Sequence, residues 1–390
     1  MDKPAILGGE PAFKELLPIT RPYLPPYERI DSRAREMISS GLVTNDKYVR
    51  QFEESAKNYL GSRHCVAVSS CTSGLILSQK AMKLEGEVIL PSFTFFATGH
   101  SILWNSLKPV FVDIDPETYL LDPELVNNAI TDKTCAILPV HTFGCPARAT
   151  EFEEIAEDHK LRLFFDAAHA FGAKIGKRHV GTFGDVEVFS CSPTKLMVTG
   201  EGGICSTKDD ELKRRLSIGR NYGDDGSYDC ELLGLNARMA EFNAILGAET
   251  IKITDENIER RHHLYEIYVR ELSKLPGIKF QKIDPNLRVT HKDMPLYINP
   301  VEFGLDRNQL QKALERENIM TKKYFYPPLH RQILYKEYFG KFDEKLPETN
   351  RVSENILSIP LYSGLSEADV LAVSNAIKRI YENRELVHIR

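Results

Sequence analysis

Several things are missing from this 390-residue chain, and each absence excludes a class of function. No run of apolar residues reaches the length of a membrane span, so no membrane-spanning helix is expected. The start, MDKPAILGGEPAFKELLP, has no basic segment followed by a long apolar stretch, and no signal peptide is expected. No long basic run occurs and the formal net charge is -5, which argues against nucleic acid as a partner. The seven cysteines lie far apart, with no CxxC pair and no Cys/His cluster of ligand spacing. Buried, reduced thiols of a cytoplasmic protein are expected, with no metal site. A Walker loop, a GxGxxG after the first strand, an HExxH and a GxSxG are all lacking.

Hydrophobic residues make up 42% of the chain and charged residues 27%, ordinary values for a globular protein. The length exceeds what one core usually serves. Short apolar runs alternate with helix-length segments from about residue 64. Strands are expected at Cys65–Ser69, Glu87–Pro91, Pro109–Ile114, Cys135–Val140, Leu161–Asp166, Val186–Cys191 and Gly203–Thr207. Runs of this kind, without clean alternation, belong to strands buried on both faces. Crossover helices are expected at Ser73–Leu84, Phe96–Ser106, Pro123–Thr131 and Thr150–His159. The rhythm implies an α/β fold with a mostly parallel sheet flanked by helices. A long helical stretch, Thr250–Lys274, then leads to a smaller mixed α/β region, with a strand at Met294–Asn299 and helices near Arg307–Glu317 and Glu367–Glu382. The expected division is an N-terminal arm (1–30), a large domain (31–250) and a small C-terminal domain (251–390).

Ligands of open α/β sheets sit at the carboxyl ends of the strands, and four of these ends carry chemistry. Ser69-Ser70-Cys71-Thr72-Ser73-Gly74 leaves a strand and opens a helix, where N–H and O–H groups and the helix dipole can hold a phosphate. A plain Ser/Thr cap explains it equally well. Pro91 to Thr98 sets Phe95 where it could lie on a planar ring or simply pack. Asp166 ends an apolar strand and, being buried, needs a partner. A protonated ring nitrogen, a helix N-terminus or His169 would each serve. Lys195 lies just past another strand, before Gly200-Glu201-Gly202-Gly203. Burial would lower its pKa and make its amine a nucleophile and base, though a surface loop is the usual place for lysine. Together, an anion cradle, an aromatic, a carboxylate and, 29 residues after it, a lysine are what pyridoxal 5'-phosphate requires.

The chain resembles the DegT/DnrJ/EryC1/StrS sugar aminotransferases of fold type I over nearly its whole length. The resemblance is carried by SGLVTNDKYVRQFE (40–53), VAVSSCTSGL (66–75), PSFTFFAT (91–98), KPVFVDIDPETYLLDP (108–123), FDAAHAFGA (165–173), GDVEVFSCSPTKLMVTGEGG (184–203), GLNARMAEFNAILG (234–247) and YPPLH (326–330). It implies an aspartate-aminotransferase-like large domain and a smaller C-terminal one. It implies that Lys195 holds pyridoxal phosphate covalently, that Asp166 meets the pyridine nitrogen and that His169 lies near the phenolic oxygen. Thr72, Ser73 and Ser190 would bind the phosphate and Phe95 would stack on the ring. Asn236 would reach across a homodimer interface to the partner's cofactor, and His330 and Tyr222 would face the substrate. Cys71, in the phosphate loop, departs from the Gly common in the family. The implied reaction passes an amino group from glutamate to a keto-sugar, usually linked to a nucleotide diphosphate and aminated at C3 or C4. Two alternatives use the same fold. One is a sugar 3-dehydratase, whose branch has His at the position of Lys195. The other is a non-catalytic regulatory protein, which need not keep Lys195, Asp166 and Thr72.

Overall fold

The computed structural model describes residues 3–339 and 342–388. Its first strands and helices alternate in the order expected of buried strands with crossover helices. The strands are β1 (His64–Val68), β2 (Glu87–Pro91), β3 (Lys108–Val112), β4 (Thr134–Ile137) and β5 (Arg162–Asp166), then the short β6 (Lys174–Ile175) and β7 (Arg178–His179), then β8 (Val186–Ser190) and β9 (Gly203–Thr207). Seven of these form one sheet in the order β1-β9-β8-β5-β4-β2-β3. Only β9 runs antiparallel, against both β1 and β8, so the other six present their carboxyl ends along one edge. Every residue of β8 and β9 is buried, which is why these runs show no polar alternation.

Helices α1 (Asp31–Ser40), α2 (Lys47–Leu60), α3 (Cys71–Ala81), α4 (Phe96–Trp104), α5 (Pro123–Ala129), α6 (Ala149–His159), α7 (Asp210–Gly219), α8 (Glu241–Ile251) and α9 (Thr254–Leu272) accompany the sheet. α3 is fixed by a capping box in which Ser70 accepts from the Ser73 N–H while the Ser73 hydroxyl accepts from the Ser70 N–H. The expected stretch Thr250–Lys274 is therefore split: α8 ends at Ile251 and α9 starts at Thr254.

The remaining strands are β10 (Ile278–Phe280), β11 (Leu287–Arg288), β12 (Met294–Ile298) and β13 (Ile356–Ile359). β10, β12 and β13 form an antiparallel sheet. It is covered by α9 and the helices Arg307–Arg316 and Glu367–Glu382 around a core drawn from residues 264–387 and Leu17. The arm is tied to this part of the chain, because the Ala5 and Ala12 N–H groups bond the buried Glu317 carboxylate at 2.9 and 2.8 Å. The boundary between the two cores does not fall at one residue, since Leu329, Tyr335 and Leu346 pack into the core of the large sheet. Among the described residues no helix is long and apolar enough to cross a membrane, and no cluster of His, Cys, Asp and Glu is arranged to hold a metal ion.

Candidate active site

At the carboxyl edge of the large sheet lies a cavity of about 300 Å³, a size at the lower end for small-molecule sites. It is built from the ends of β1, β2, β5 and β8. β1 contributes Ser70, Cys71 and Thr72, and the first turn of α3 opens onto the cavity with its N–H groups and positive dipole end. β2 contributes Thr94 and Phe95, β5 Asp166, Ala168 and His169, and β8 Ser190 and Lys195. Close backbone packing holds these pieces together. A Cβ on Gly203, in β9, would sit 2.7 Å from the Cys71 nitrogen and the Ser70 carbonyl carbon, so no larger residue fits behind the phosphate loop.

Asp166 is 4% exposed. Its Oδ2 accepts from the Thr98 hydroxyl at 2.7 Å and its Oδ1 from the Ala168 N–H at 3.0 Å. Thr98 in turn shares a 2.8 Å hydrogen bond with Thr94. Among the described residues no cation pairs with Asp166, so the carboxylate faces the cavity held only by neutral donors. The strand behind it is tied to the next loop by hydrogen bonds. The His141 N–H donates to the Asp166 carbonyl at 3.1 Å, and the His141 ring, fully buried, lies 3.1 Å from Glu187. His141 Nδ1 accepts from the Ala147 N–H at 2.8 Å, so Nε2 carries the proton that Glu187 accepts.

Lys195 lies in the loop after β8. Burial pushes its amine down from the ordinary 10.5 to about 8, helped by the like charge of Lys292, while Asp293, Cys71 and Asp166 oppose the change. His169 is held well below the usual histidine range by burial first and by Lys195 and Lys292 second, and its Nδ1 is buried without a hydrogen-bond partner. Burial likewise pushes the Cys71 thiol up, so at neutral pH it is a small apolar group rather than a thiolate.

These features fit pyridoxal phosphate. An unpaired carboxylate, an unsatisfied neutral imidazole, an amine with a depressed pKa and an anion-binding helix start converge on one cavity. Seven of the sequence-derived residues line it: Cys71, Thr72, Phe95, Asp166, His169, Ser190 and Lys195. Four others do not. Ser73 turns its hydroxyl back to Ser70 in the capping box. His330 is 3% exposed and spends its ring on Ser92 at 2.7 Å and on Asp343 and Asn350 at 3.2 and 3.1 Å. It therefore braces the C-terminal segment against the end of β2. Tyr222 is 53% exposed, outside the cavity, with the Arg238 guanidinium 5.2 Å from its ring centre. Asn236 is exposed and also lies outside. Sequence reasoning missed Lys292, Asp293, Tyr324 and Phe325, which enter the cavity from the C-terminal part of the chain. A charged Lys-Asp pair directly ahead of the apolar run Met294–Ile298 was the available signal.

Sheet order and cavity chemistry together define an aminotransferase of fold type I. A crystal structure of DesI in the presence of its TDP-sugar product superposes with a TM-score of 0.93, covering 99% of this chain and 98% of that one at 35% identity. The profile of the DegT/DnrJ/EryC1/StrS aminotransferase family matches residues 27–378, and the chain belongs to that family. It is 31% identical to the dTDP-4-amino-4,6-dideoxy-D-glucose transaminase of Escherichia coli, over 93% of this chain and 98% of the relative. It is 32% identical to the UDP-N-acetyl-3-dehydro-alpha-D-glucosamine 3-aminotransferase of Acidithiobacillus ferrooxidans, over 85% and 88%. The chain is a sugar aminotransferase of this family.

Proposed function

We propose that the protein binds pyridoxal 5'-phosphate and moves an amino group from glutamate to a 3- or 4-keto-6-deoxy sugar linked to a nucleotide diphosphate. The observation that carries this reading is the meeting of Lys195, its amine lowered to about 8, with the buried and cation-free Asp166 in one cavity. When bound, the cofactor supplies an aldehyde to hold the amine and a pyridinium ring to take up electron density at the carbon losing its proton. The chain supplies the rest. Thr72, Ser190 and the first turn of α3 hold the phosphate. Asp166, fixed by Thr98, would accept from the ring N–H and favour its protonated form. His169, neutral, offers a ring N–H to the phenolic oxygen. Phe95, at the cavity wall, would stack on the ring, and Ala168 is a small residue lining the same cavity. Lys195 would hold the cofactor through its amine and, once freed, serve as the base for the proton of the substrate's α-carbon.

Beside the cavity, and sharing Thr94, Phe95, Tyr324 and Phe325 with it, lies a groove of about 650 Å³ that also offers Lys322, Lys323 and Tyr326. Two ammonium groups and an aromatic face suit a nucleotide diphosphate. Exposed Asn236, outside this subunit's own cavity, suits a homodimer in which each subunit completes the other's phosphate site. The seven unpaired cysteines suit the cytoplasm. Lysine at position 195 argues against the dehydratase reading.

The test is a screen of keto-sugar nucleotides with glutamate, read by mass spectrometry. A keto-to-amine conversion raises the mass by about one unit. The reading fails if the purified protein takes up no pyridoxal phosphate, or if Lys195→Ala still transaminates.

A further inference from the structure

Two charged side chains in the cavity are given no contact with substrate or cofactor in the reading above. Lys292 and Asp293 immediately precede β12 and form an ion pair, Nζ to Oδ1 at 2.8 Å, with side chains 4% and 5% exposed. Both line the same cavity as Lys195, Asp166 and His169. Burying such a pair carries a heavy desolvation cost, repaid only when the remaining lone pairs also find partners. Here one does not: Asp293 Oδ2 is buried and has no hydrogen-bond partner. The buried Arg261 feels the field of Asp293 but spends its bonds on the Ser363 hydroxyl at 3.2 Å and the His291 carbonyl at 3.5 Å.

A carboxylate oxygen accepts and cannot donate. The group that completes Asp293 is therefore a donor. The carboxylates of an amino-acid substrate are ruled out by like charge, and its ammonium is the group consumed at the reacting carbon. A sugar brings hydroxyls on the carbons next to its ketone. We propose that Asp293 Oδ2 accepts a hydrogen bond from a ring hydroxyl of the acceptor sugar, adjacent to the carbon that receives nitrogen. Lys292 is the positioning residue that holds this carboxylate in place through the 2.8 Å ion pair. Its own backbone is fixed by an N–H bond to the Phe143 carbonyl at 2.9 Å. The inference rests on the sugar-aminotransferase reading of the same cavity. It makes the two half-reactions separable, because the sugar half uses Asp293 and the amino-acid half does not.

The experiment follows single turnovers by cofactor absorbance, in wild type, Asp293→Asn and Asp293→Ala. Glutamate is the probe for one half. For the other, dTDP-4-keto-6-deoxyglucose is compared with its analogue carrying hydrogen in place of the hydroxyl next to the ketone. Loss of a hydrogen bond to a charged group lowers the sugar half-reaction roughly 10- to 100-fold in kcat/KM relative to the glutamate half, which feels only the changed field at Lys195. Wild type loses a similar factor with the deoxy analogue, and the variants lose little more. Equal losses in both halves, or a full second loss when variant and analogue are combined, overturn the assignment. Asp293→Asn keeps the volume and a partner for Lys292, so it reports even if Asp293→Ala fails to fold. A wild type that runs neither half-reaction defeats the aminotransferase reading itself. A wild type that runs only the glutamate half defeats the sugar contact alone.

Discussion

Replacing Lys292 by methionine removes one buried positive charge from the cavity while keeping most of the side-chain volume. Lys195 titrates at about 8 instead of 10.5, with burial the first cause and Lys292 the second. A displacement of that size is roughly 3 kcal/mol against the charged amine, and it leaves roughly a tenth of the amines free at pH 7, against roughly one in three thousand for an ordinary lysine. Only the free amine attacks an aldehyde. Uptake of pyridoxal phosphate by the apoenzyme should therefore rise with pH and level off above about 8. In Lys292→Met the like charge is gone and Asp293, now unpaired, pulls the other way. The midpoint should move up by roughly one pH unit or more, and uptake at pH 7 should slow about tenfold or more. Stability gives an independent readout. Between pH 8 and 10.5 the unfolded chain keeps a proton that folded Lys195 has released, so this residue makes apoenzyme stability rise with pH in that window and not below it. Lys195→Met should abolish that rise and make the apoprotein more stable at pH 7, by at most about 3 kcal/mol. Urea melts of the apoproteins across the window measure both effects. A folded Lys292→Met with an unchanged uptake midpoint, or a Lys195→Met apoprotein with the wild-type slope, would refute the electrostatic argument.

Three further outcomes are expected. Thr98→Val removes the hydroxyl that Asp166 Oδ2 accepts at 2.7 Å, which should cost about 1–3 kcal/mol in urea melts of the apoenzyme. The cost should be smaller with cofactor bound, because a ring N–H then shares the carboxylate; equal losses in the two forms would mean that Asp166 does not meet the ring. Glu187→Ala strips the fully buried His141 of its acceptor, and the Gly181 and Phe183 N–H groups of theirs. A stability loss of about 3–5 kcal/mol, visible as a lower Tm, is expected, and an unchanged Tm would show that the pair is not what holds this part of the sheet. Lys195→Ala and Asn236→Ala should each be inactive alone, yet regain roughly a quarter of wild-type activity when refolded together one to one, since half the dimers then contain one complete site. No recovery from the mixture would count against a shared active site.

How far the sequence reaches depends on where each signal lies. A buried strand is written in consecutive residues, and β2 (Glu87–Pro91) and the helix Glu367–Glu382 fall at their expected limits. Limits slip where a tertiary contact ends the pattern. β3 stops at Val112 rather than Ile114 because the Asp113 carboxylate turns away to accept from the Ile114, Glu348 and Thr349 N–H groups, the latter two in a helix more than 230 residues on. The cavity divides in the same way. Its sheet half is legible, because Cys71, Thr72, Phe95, Asp166, Ser190 and Lys195 each follow a strand or end one, and the direction of the strands brings their ends together. Nothing local to Lys292 or Tyr324 says which strand end it will meet, since both arrive through the packing of the C-terminal part of the chain against the sheet. Position within a motif is no substitute for that packing. His330 stands in YPPLH, yet Ser92, Asp343 and Asn350 occupy its ring before any substrate could. The two halves therefore carry different information. The sheet half holds the groups that the proposed use of the cofactor requires, and the C-terminal half brings Lys292, Asp293 and the lysine-lined groove to the sides where the proposed sugar nucleotide would bind.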